Sequence, residues 1–467
     1  MDIDADLLVI GAGAGGLGLS SVATRLGFNV VLLESGKMGG DCLNYGCVPS
    51  KALIACAAQA QSLRVGAVFG VGSVEPQIDF AKVMDYVASV VSKIAVHDSV
   101  ERFESLGVRV IQSAGTFIDE NTVMAGEHKI RARKIVLATG SSPLVPNIPG
   151  LSDIDYLTNE SVFSLREQPK HLIVIGGGPI GCEMAQAFSR LGTKVTMLVR
   201  SRVLSKDEPE LAKLLKDNLV TEGITIHENC GIDSFSKDGH NIIIKTSTGK
   251  VVGTQVLVAV GRVANTDKLN LSNANIAIDK GYIVVNSRLR TTNKKVYAIG
   301  DVIGHHAFTH AAEYQVGVIV TNLFFKIPKK VNYRAFPWVT YCSPEFAHVG
   351  LKTAEALSLD PKGKTLTWSF TSNDRATTAN TTLGKVIISV NARSVVVGAS
   401  ILGPNAGDLI QSWTNVIANK RKIGELANII VPYPTYAEIN KRVSGSYFTD
   451  KLFSNKVKSI VKFLYRL

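Results

Sequence analysis

The chain has 467 residues, 46% of them hydrophobic and 19% charged, a globular composition with room for about three domains. No apolar run reaches the roughly 18 residues of a membrane span, and no secretory signal opens the chain. A net charge of +12 admits acidic partners such as anionic lipid or a phosphorylated cofactor, no nucleic-acid motif is present, and six cysteines with one closely spaced pair point to a reducing, cytoplasmic setting.

Residues 5–10 read as a buried strand, followed by a Gly11-Ala12-Gly13-Ala14-Gly15-Gly16 turn, an apolar-periodic helix to about Gly27 and a second strand ending at Glu34. Gly11, Gly13 and Gly16 fit the G-x-G-x-x-G dinucleotide fingerprint in its strand–turn–helix setting. The glycines let backbone approach a pyrophosphate, the helix N-terminus favours its charge, and Glu34 can accept bonds from a ribose.

The segment Gly39-Gly40-Asp41-Cys42-Leu43-Asn44-Tyr45-Gly46-Cys47-Val48-Pro49-Ser50-Lys51 follows. On a regular helix, positions i and i+5 point about 140° apart, whereas a disulfide needs Cβ atoms about 4 Å apart. Cys42 and Cys47 therefore bridge only if this turn is distorted, which Gly46 and Pro49 permit. So small a loop would restrain the unfolded chain little, so a bridge here suits a redox switch better than a staple. The alternative is two reduced cysteines near a helix start.

This segment resembles the redox-active stretch of the FAD-dependent pyridine nucleotide–disulfide oxidoreductases. The resemblance covers nearly the whole chain. It implies an α/β protein with two Rossmann-like dinucleotide-binding domains, for FAD and NAD(P), and an α+β C-terminal dimerisation domain. It implies that the first fingerprint, with Gly40 and Lys51, holds FAD, that Cys47 faces the flavin, and that Cys42 meets the substrate. It divides the chain into a first FAD-binding part at 1–150, an NAD(P)-binding domain at 151–270, a second FAD-binding or central part at 271–335, and an interface domain at 336–467.

Helical patterns are expected near 49–63 and over Phe80–Leu106, then strands at Val108–Gln112 and Lys129–Leu137. Ala138, Thr139 and Gly140 resemble the family's A-T-G segment closing the first FAD-binding stretch. A strand at Leu172–Ile175 leads to a second fingerprint, Gly176, Gly178 and Gly181, then to a helix and a strand ending at Val199. An acid after that strand would bind the 2′-hydroxyl of NAD, whereas arginine accommodates a 2′-phosphate. Arg200 and Arg202 therefore favour NADPH over NADH. By resemblance, Glu183 pairs with Lys51 beside the flavin, Gly261 lies in the segment ending the NAD domain, Asp301 takes a ribityl hydroxyl, and His310 occupies a frequent histidine position. His305, His306 and His310 lie close together, but no metal is expected.

From about Phe336, aromatic-bearing strands alternate with helical stretches, matching the interface domain through which family members form homodimers and lend an acid–base group to the partner's site. The disulfide-reducing members carry H-P-T-x-S-E near the C-terminus. Here Glu438 is retained, but Tyr433 replaces the histidine, and no histidine follows His348. Histidine exchanges protons near neutral pH, and tyrosine titrates near pH 10. Mercuric reductase shares the tyrosine, but its second cysteine pair has no counterpart, since Cys342 is the last cysteine. Phe453, Val457, Ile460, Val461, Leu464 and Leu467 form one helical stripe flanked by Lys451, Lys456, Lys458, Lys462 and Arg466. That basic amphipathic helix fits either docking on its own dimer or peripheral membrane contact through residues 451–467.

The reading is thus a mercuric-reductase-like flavoenzyme. Electrons pass from NAD(P)H through FAD to Cys42–Cys47 and on to a small-molecule or metal-ion acceptor. The alternatives are an NAD-linked dihydrolipoamide dehydrogenase, and a cofactor-bearing protein that binds a partner or membrane and turns over slowly.

Overall fold

The computed structural model describes residues 2–467. It divides into two compact units, one of Met1–Ile175, Arg190–Lys194 and Ile232–Val331, the other of Gly176–Ser189, Val195–Gly231 and Asn332–Leu467.

The first unit is built on β1 (Asp2–Ile10), whose last four residues are buried. This run is too apolar for a strand with one wet face, and β1 lies inside a sheet, parallel to β2 (Val30–Leu33) on one side and β6 (His128–Leu137) on the other. β3 (Arg109–Ile111) extends the sheet beyond β2. The two halves of β6 have different neighbours. His128–Arg131 pairs antiparallel with β5 (Thr122–Ala125), itself paired with β4 (Thr116–Phe117), and Ile135–Leu137 runs parallel to Val296–Ala298. Strands from two distant parts of the chain thereby share one core, in which Leu8, Val9, Leu32, Val136 and Ala298 are fully buried.

β1 passes into α1 (Ala14–Arg25), then come α2 (Gly40–Asn44) and α3 (Cys47–Arg64). The helical pattern expected over Phe80–Leu106 is two helices, α4 (Phe80–Ala95) and α5 (Val100–Ser105). Ser99 breaks it. Its backbone is extended and its Oγ accepts from Arg102 N at 3.2 Å, the arrangement of an N-cap. The same unit contains a parallel set formed by His171–Ile175, Gln255–Val258 and Tyr156–Leu157, and an antiparallel sheet of Ile232–Asp238, Asn241–Thr246 and Gly249–Gly253.

The second unit begins at the Gly176 turn and helix α6 (Pro179–Arg190), and pairs Lys194–Leu198 parallel with Thr225–His227. Its larger part is an antiparallel sheet in the order Pro337–Thr340, Glu345–Gly350, Val396–Gly403, Lys385–Val390, Lys364–Ser369. Helix Ala406–Ala418 covers it with Trp413, which is fully buried and donates Nε1–H to Asn440 Oδ1 at 2.8 Å. A buried indole N–H left without such a partner would be costly, so this bond fixes helix Glu438–Ser446 against the sheet.

His348 is fully buried in that sheet, stacked on Trp338 with ring centroids 4.3 Å apart. Nε2 donates to Gly350 O at 3.0 Å, so the neutral ring accepts from Ser400 Oγ at Nδ1, 2.7 Å away. Burial pushes its pKa down to about 4, with the Gly350 carbonyl and Glu355 opposing and Lys352 adding to the depression. Between that value and the ordinary 6.5 the unfolded chain binds the proton and the folded chain does not, so stability falls as pH falls through this window. The expected loss is roughly 3 kcal/mol. Urea unfolding of His348→Gln, which keeps a donor for Gly350, should show a correspondingly weaker dependence between pH 6.5 and pH 4 than the wild type.

Candidate active site

The turn after β1 forms a cradle of bare backbone. Gly11 has φ +106°, and a Cβ there would stand 2.3 Å from Ala138 O; one on Gly16 would stand 1.8 Å from Gly11 O. At Gly13 a Cβ would meet nothing within 4 Å, so the space a side chain would fill lies open. α1 has no side-chain cap and no acid in its first turn, which leaves its N-terminal amides for an anion. Glu34 closes the cradle, accepting from Ala12 N and Gly36 N at 2.7 Å each. Each oxygen keeps a second lone pair for a ribose hydroxyl. Gly40 lies against the cradle, since a Cβ on it would meet Gly13 Cα at 2.8 Å.

Ala138, Thr139 and Gly140 follow β6. Ala138 N bonds Ile10 O, and Thr139 is stapled to Asn265 twice, through Oγ1 to Asn265 O at 2.8 Å and from Asn265 Nδ2 to Thr139 O at 2.9 Å. Gly261 lies shortly before Asn265, and its carbonyl accepts from Leu144 N. The segments containing Gly140, Gly261 and Asp301 meet at an ionic network that the sequence reading missed. Asp301 Oδ2 accepts from Ser141 Oγ at 2.6 Å, Arg262 Nε donates to the same hydroxyl at 2.7 Å, and Arg262 Nη2 lies 3.2 Å from Asp41 Oδ1. Asn159 donates to the same oxygen at 2.9 Å. Arg262 thus ties the redox segment to Asp301. These side chains and the open backbone fit a dinucleotide such as FAD, which Gly11, Gly13, Gly16 and Asp301 would hold.

Cys42 and Cys47 do not share one helix. α2 stops at Asn44, Gly46 takes non-helical angles, and Cys47 opens α3. This is the distortion that i and i+5 spacing requires, and it brings the two sulfurs into hydrogen-bond contact as a thiol pair. Thr309, first residue of helix Thr309–Leu323, reaches the pair, with Oγ1 3.7 Å from Cys47 Sγ. The bond to Cys47, partial burial and repulsion from charge on Cys47 push the Cys42 thiol above its ordinary pKa. Cys47 sits at the N-terminus of an 18-residue helix with no acid in its first turn, a position that favours a thiolate. Lys51 lies one turn further along α3, with Nζ 3.4 Å from Ser50 Oγ. A cleft of about 390 Å³ opens on Cys42, lined also by Thr309, Glu313, Asp98 and Arg102. His310 is exposed beside it in sequence, with its ring 5.3 Å from that of Phe308.

In the second unit, Gly176 turns with φ +120°, Gly178 has nothing within 4 Å of a Cβ, and Gly181 is buried in α6. Glu183 is also buried there and accepts from Tyr341 N at 2.9 Å. Val199 is buried and Arg200 exposed. Arg202 is engaged elsewhere, donating to the carbonyls of Leu204, Ser205 and Asp207 at 3.0–3.3 Å. Glu228 binds Val203 N at 2.7 Å and Lys216 at 2.8 Å, and so fixes the loop after Arg200.

Tyr433 is 69% exposed, and its hydroxyl donates to Asp374 Oδ2 at 2.9 Å. That bond and the Asp374 charge push its pKa above the ordinary tyrosine value. Glu438 heads its own helix and pairs with Arg442 at 2.7 Å. The i,i+4 spacing of Glu438 and Arg442 was a readable signal. Asp374 is 59 positions from Tyr433 and carried none.

Residues 5–316 match the family described as pyridine nucleotide–disulphide oxidoreductase, and residues 336–443 match its dimerisation domain. The chain is 33% identical over 458 residues to a mercuric reductase of Streptomyces lividans, covering 95% of this chain and 96% of that one. It is 34% identical over 450 residues to a dihydrolipoyl dehydrogenase of Geobacillus stearothermophilus, covering 94% and 95%. Among solved structures it is similar to the copper(II) complex of an HOCl-induced flavoprotein disulfide reductase from Escherichia coli. There the TM-score is 0.87 and the identity 25%, over 94% of this chain and 99% of that one.

Proposed function

This chain belongs to the pyridine nucleotide–disulphide oxidoreductases, and we propose that its Cys42–Cys47 pair delivers electrons to a metal ion or quinone-like acceptor rather than to a glutathione-type disulfide. Membership makes it an enzyme that works with FAD and a pyridine nucleotide, and the dimerisation domain makes it a homodimer. Bound FAD would supply the two-electron relay between the nicotinamide and the cysteine pair. Gly11, Gly13, Gly16, Glu34, Gly40 and Asp301 would hold it, and Arg262 would position Asp301 and Asp41.

The chain's own chemistry is a dithiol–disulfide cycle. Cys42 and Cys47 lose two protons and two electrons as the S–S bond forms. A quinone accepts both electrons and both protons; a divalent metal ion accepts the electrons, and the protons go to solvent. Cys42, at the cleft, meets the acceptor, and Cys47, at the helix N-terminus, carries the first negative charge.

The observation that carries the choice of acceptor is Tyr433, held protonated by Asp374 where disulfide-reducing members use histidine. A disulfide acceptor needs a proton delivered to its leaving sulfur, and a metal ion needs none. Similarity to enzymes named for mercury, and to one solved with copper(II), supports a thiophilic metal. The likeness to a dihydrolipoyl dehydrogenase favours the second reading, dihydrolipoamide oxidation. Stopped-flow mixing of NADPH-reduced enzyme with a quinone, a thiolate-bound divalent metal, oxidised glutathione and lipoamide separates them. The proposal expects fast reoxidation by the first or second and slow reoxidation by the disulfides. Fast reoxidation by lipoamide alone refutes it.

The coenzyme is read as NADPH. Arg200 is exposed at the end of its strand, whereas Arg202 is taken up by backbone carbonyls, so Arg200 is the group left for a 2′-phosphate. Losing a charge-assisted contact costs about 1.5–3 kcal/mol. Arg200→Ala should therefore raise the KM for NADPH about tenfold or more and leave that for NADH nearly unchanged. Equal use of both coenzymes by the wild type contradicts this assignment.

A further inference from the structure

We propose that the basic C-terminal helix is a docking surface for an anionic lipid bilayer. Helix Asn455–Leu464 has no buried residue. Val457, Ile460, Val461 and Leu464 follow the i, i+3, i+4, i+7 rule and form one apolar face, while Phe453 of the expected stripe lies before the extended Ser454 cap and Leu467 lies past the helix end. Ile460, Val461 and Leu464 are 48%, 55% and 58% exposed, and the aromatic rings of Phe463 and Tyr465, beside this face, are 65% and 92% exposed. A single exposed leucine needs no explanation, but a continuous apolar stripe marks an interaction site.

The occupant follows from charge. Residues 451–467 carry Lys451, Lys456, Lys458, Lys462 and Arg466 and no acid, and all five cations are exposed. At 100° per residue, Lys456 and Lys458 flank the apolar face on opposite sides, while Lys462 and Arg466 lie behind it. Flanking lysines can lay their stems along the acyl boundary and leave their ammonium groups among the headgroups. A second copy of this helix would instead oppose like charges across the apolar seam. A basic rim, an apolar floor and aromatic residues at the margin match the plane of an anionic leaflet. No helix among the described residues is long and apolar enough to cross a membrane, so the contact is peripheral. The helix lies past the dimerisation domain in sequence and none of its residues lines the cleft at Cys42, so the proposal expects membrane binding and electron transfer to be separable.

The test is co-sedimentation of the full FAD-loaded enzyme with vesicles of phosphatidylglycerol and phosphatidylcholine in equal parts, and with phosphatidylcholine alone. Binding to the anionic vesicles should exceed binding to the neutral ones at least tenfold at low salt. It should weaken about tenfold at high salt, where surface charges are screened. The triple variant Lys456→Glu/Lys458→Glu/Lys462→Glu should lose it while keeping its dimer mass and its turnover. Absence of binding to anionic vesicles at low salt, or equal binding to both compositions, overturns the proposal. If Ile460→Asp/Leu464→Asp reduces the free enzyme to monomers in analytical ultracentrifugation, the apolar face packs on a second copy, and the proposal is again overturned.

Discussion

Cys47→Ser will stop electron delivery to the physiological class of acceptor, with a loss on the order of 10³-fold or more, while NADPH still reduces the enzyme. The expectation follows from the break between α2 and α3. That break places Cys47 at a helix N-terminus and Cys42 at the cleft, in contact with each other. Neither cysteine serves a staple's purpose, since a loop so short restrains the unfolded chain little. Stability should therefore be almost unchanged in Cys47→Ser, and activity with a one-electron acceptor such as ferricyanide should survive. Thiol titration under denaturing conditions gives an independent check. Oxidised wild type should show two fewer thiols than its six cysteines, and the reduced protein all six. Six thiols in air-oxidised protein would show that the pair does not cycle.

The second large effect is a deficit. Wild-type turnover of oxidised glutathione and of dihydrolipoamide should lie about 10²–10⁴-fold below that of a competent disulfide reductase, the usual worth of general acid–base assistance. Asp374 deepens the deficit, because its charge and hydrogen bond hold the Tyr433 proton more tightly than an isolated phenol would. Two changes then make separate predictions. Asp374→Asn removes the anion and should lower the Tyr433 pKa toward the ordinary value, with little gain near neutral pH because that value is still near 10. Tyr433→His supplies a group that titrates in the working range and should recover part of the lost rate, with a pH profile centred near 6.5. The same rate in Tyr433→His and wild type at every pH would remove residue 433 from the proton path.

Much of this was readable because the rules involved are local. The strand–glycine turn–helix of β1 and α1 depends on neighbours within a few positions, and Gly11 and Gly16 act through contacts a Cβ would forbid. The Cys42–Cys47 spacing lets the two sulfurs meet only on a distorted helix, and the α2–α3 break is such a distortion. The split of the Phe80–Leu106 pattern was also local, but the apolar periodicity hid the Ser99 cap. The Asp41–Arg262–Ser141–Asp301 network was beyond local reading, since its members come from four segments joined only by the tertiary fold. Arg202 shows the limit from the other side. Sequence places two arginines after the second fingerprint, and only the folded loop shows that three carbonyls have claimed one of them. His348 likewise carries no local signal, and its burial against Trp338 is a property of the finished sheet.

The central claim is that the cysteine pair serves an acceptor other than a disulfide. Its most direct test is steady-state turnover of the unmodified, FAD-loaded homodimer with dihydrolipoamide and with oxidised glutathione, beside a quinone and a thiolate-bound divalent metal ion. The account predicts turnover at an ordinary enzymatic rate, about 10 per second, with the quinone or the metal ion, and at least a hundredfold less with both disulfide-couple substrates. Dihydrolipoamide or oxidised glutathione turned over at the ordinary rate would contradict it, and another group would then have to carry the proton that Tyr433 withholds.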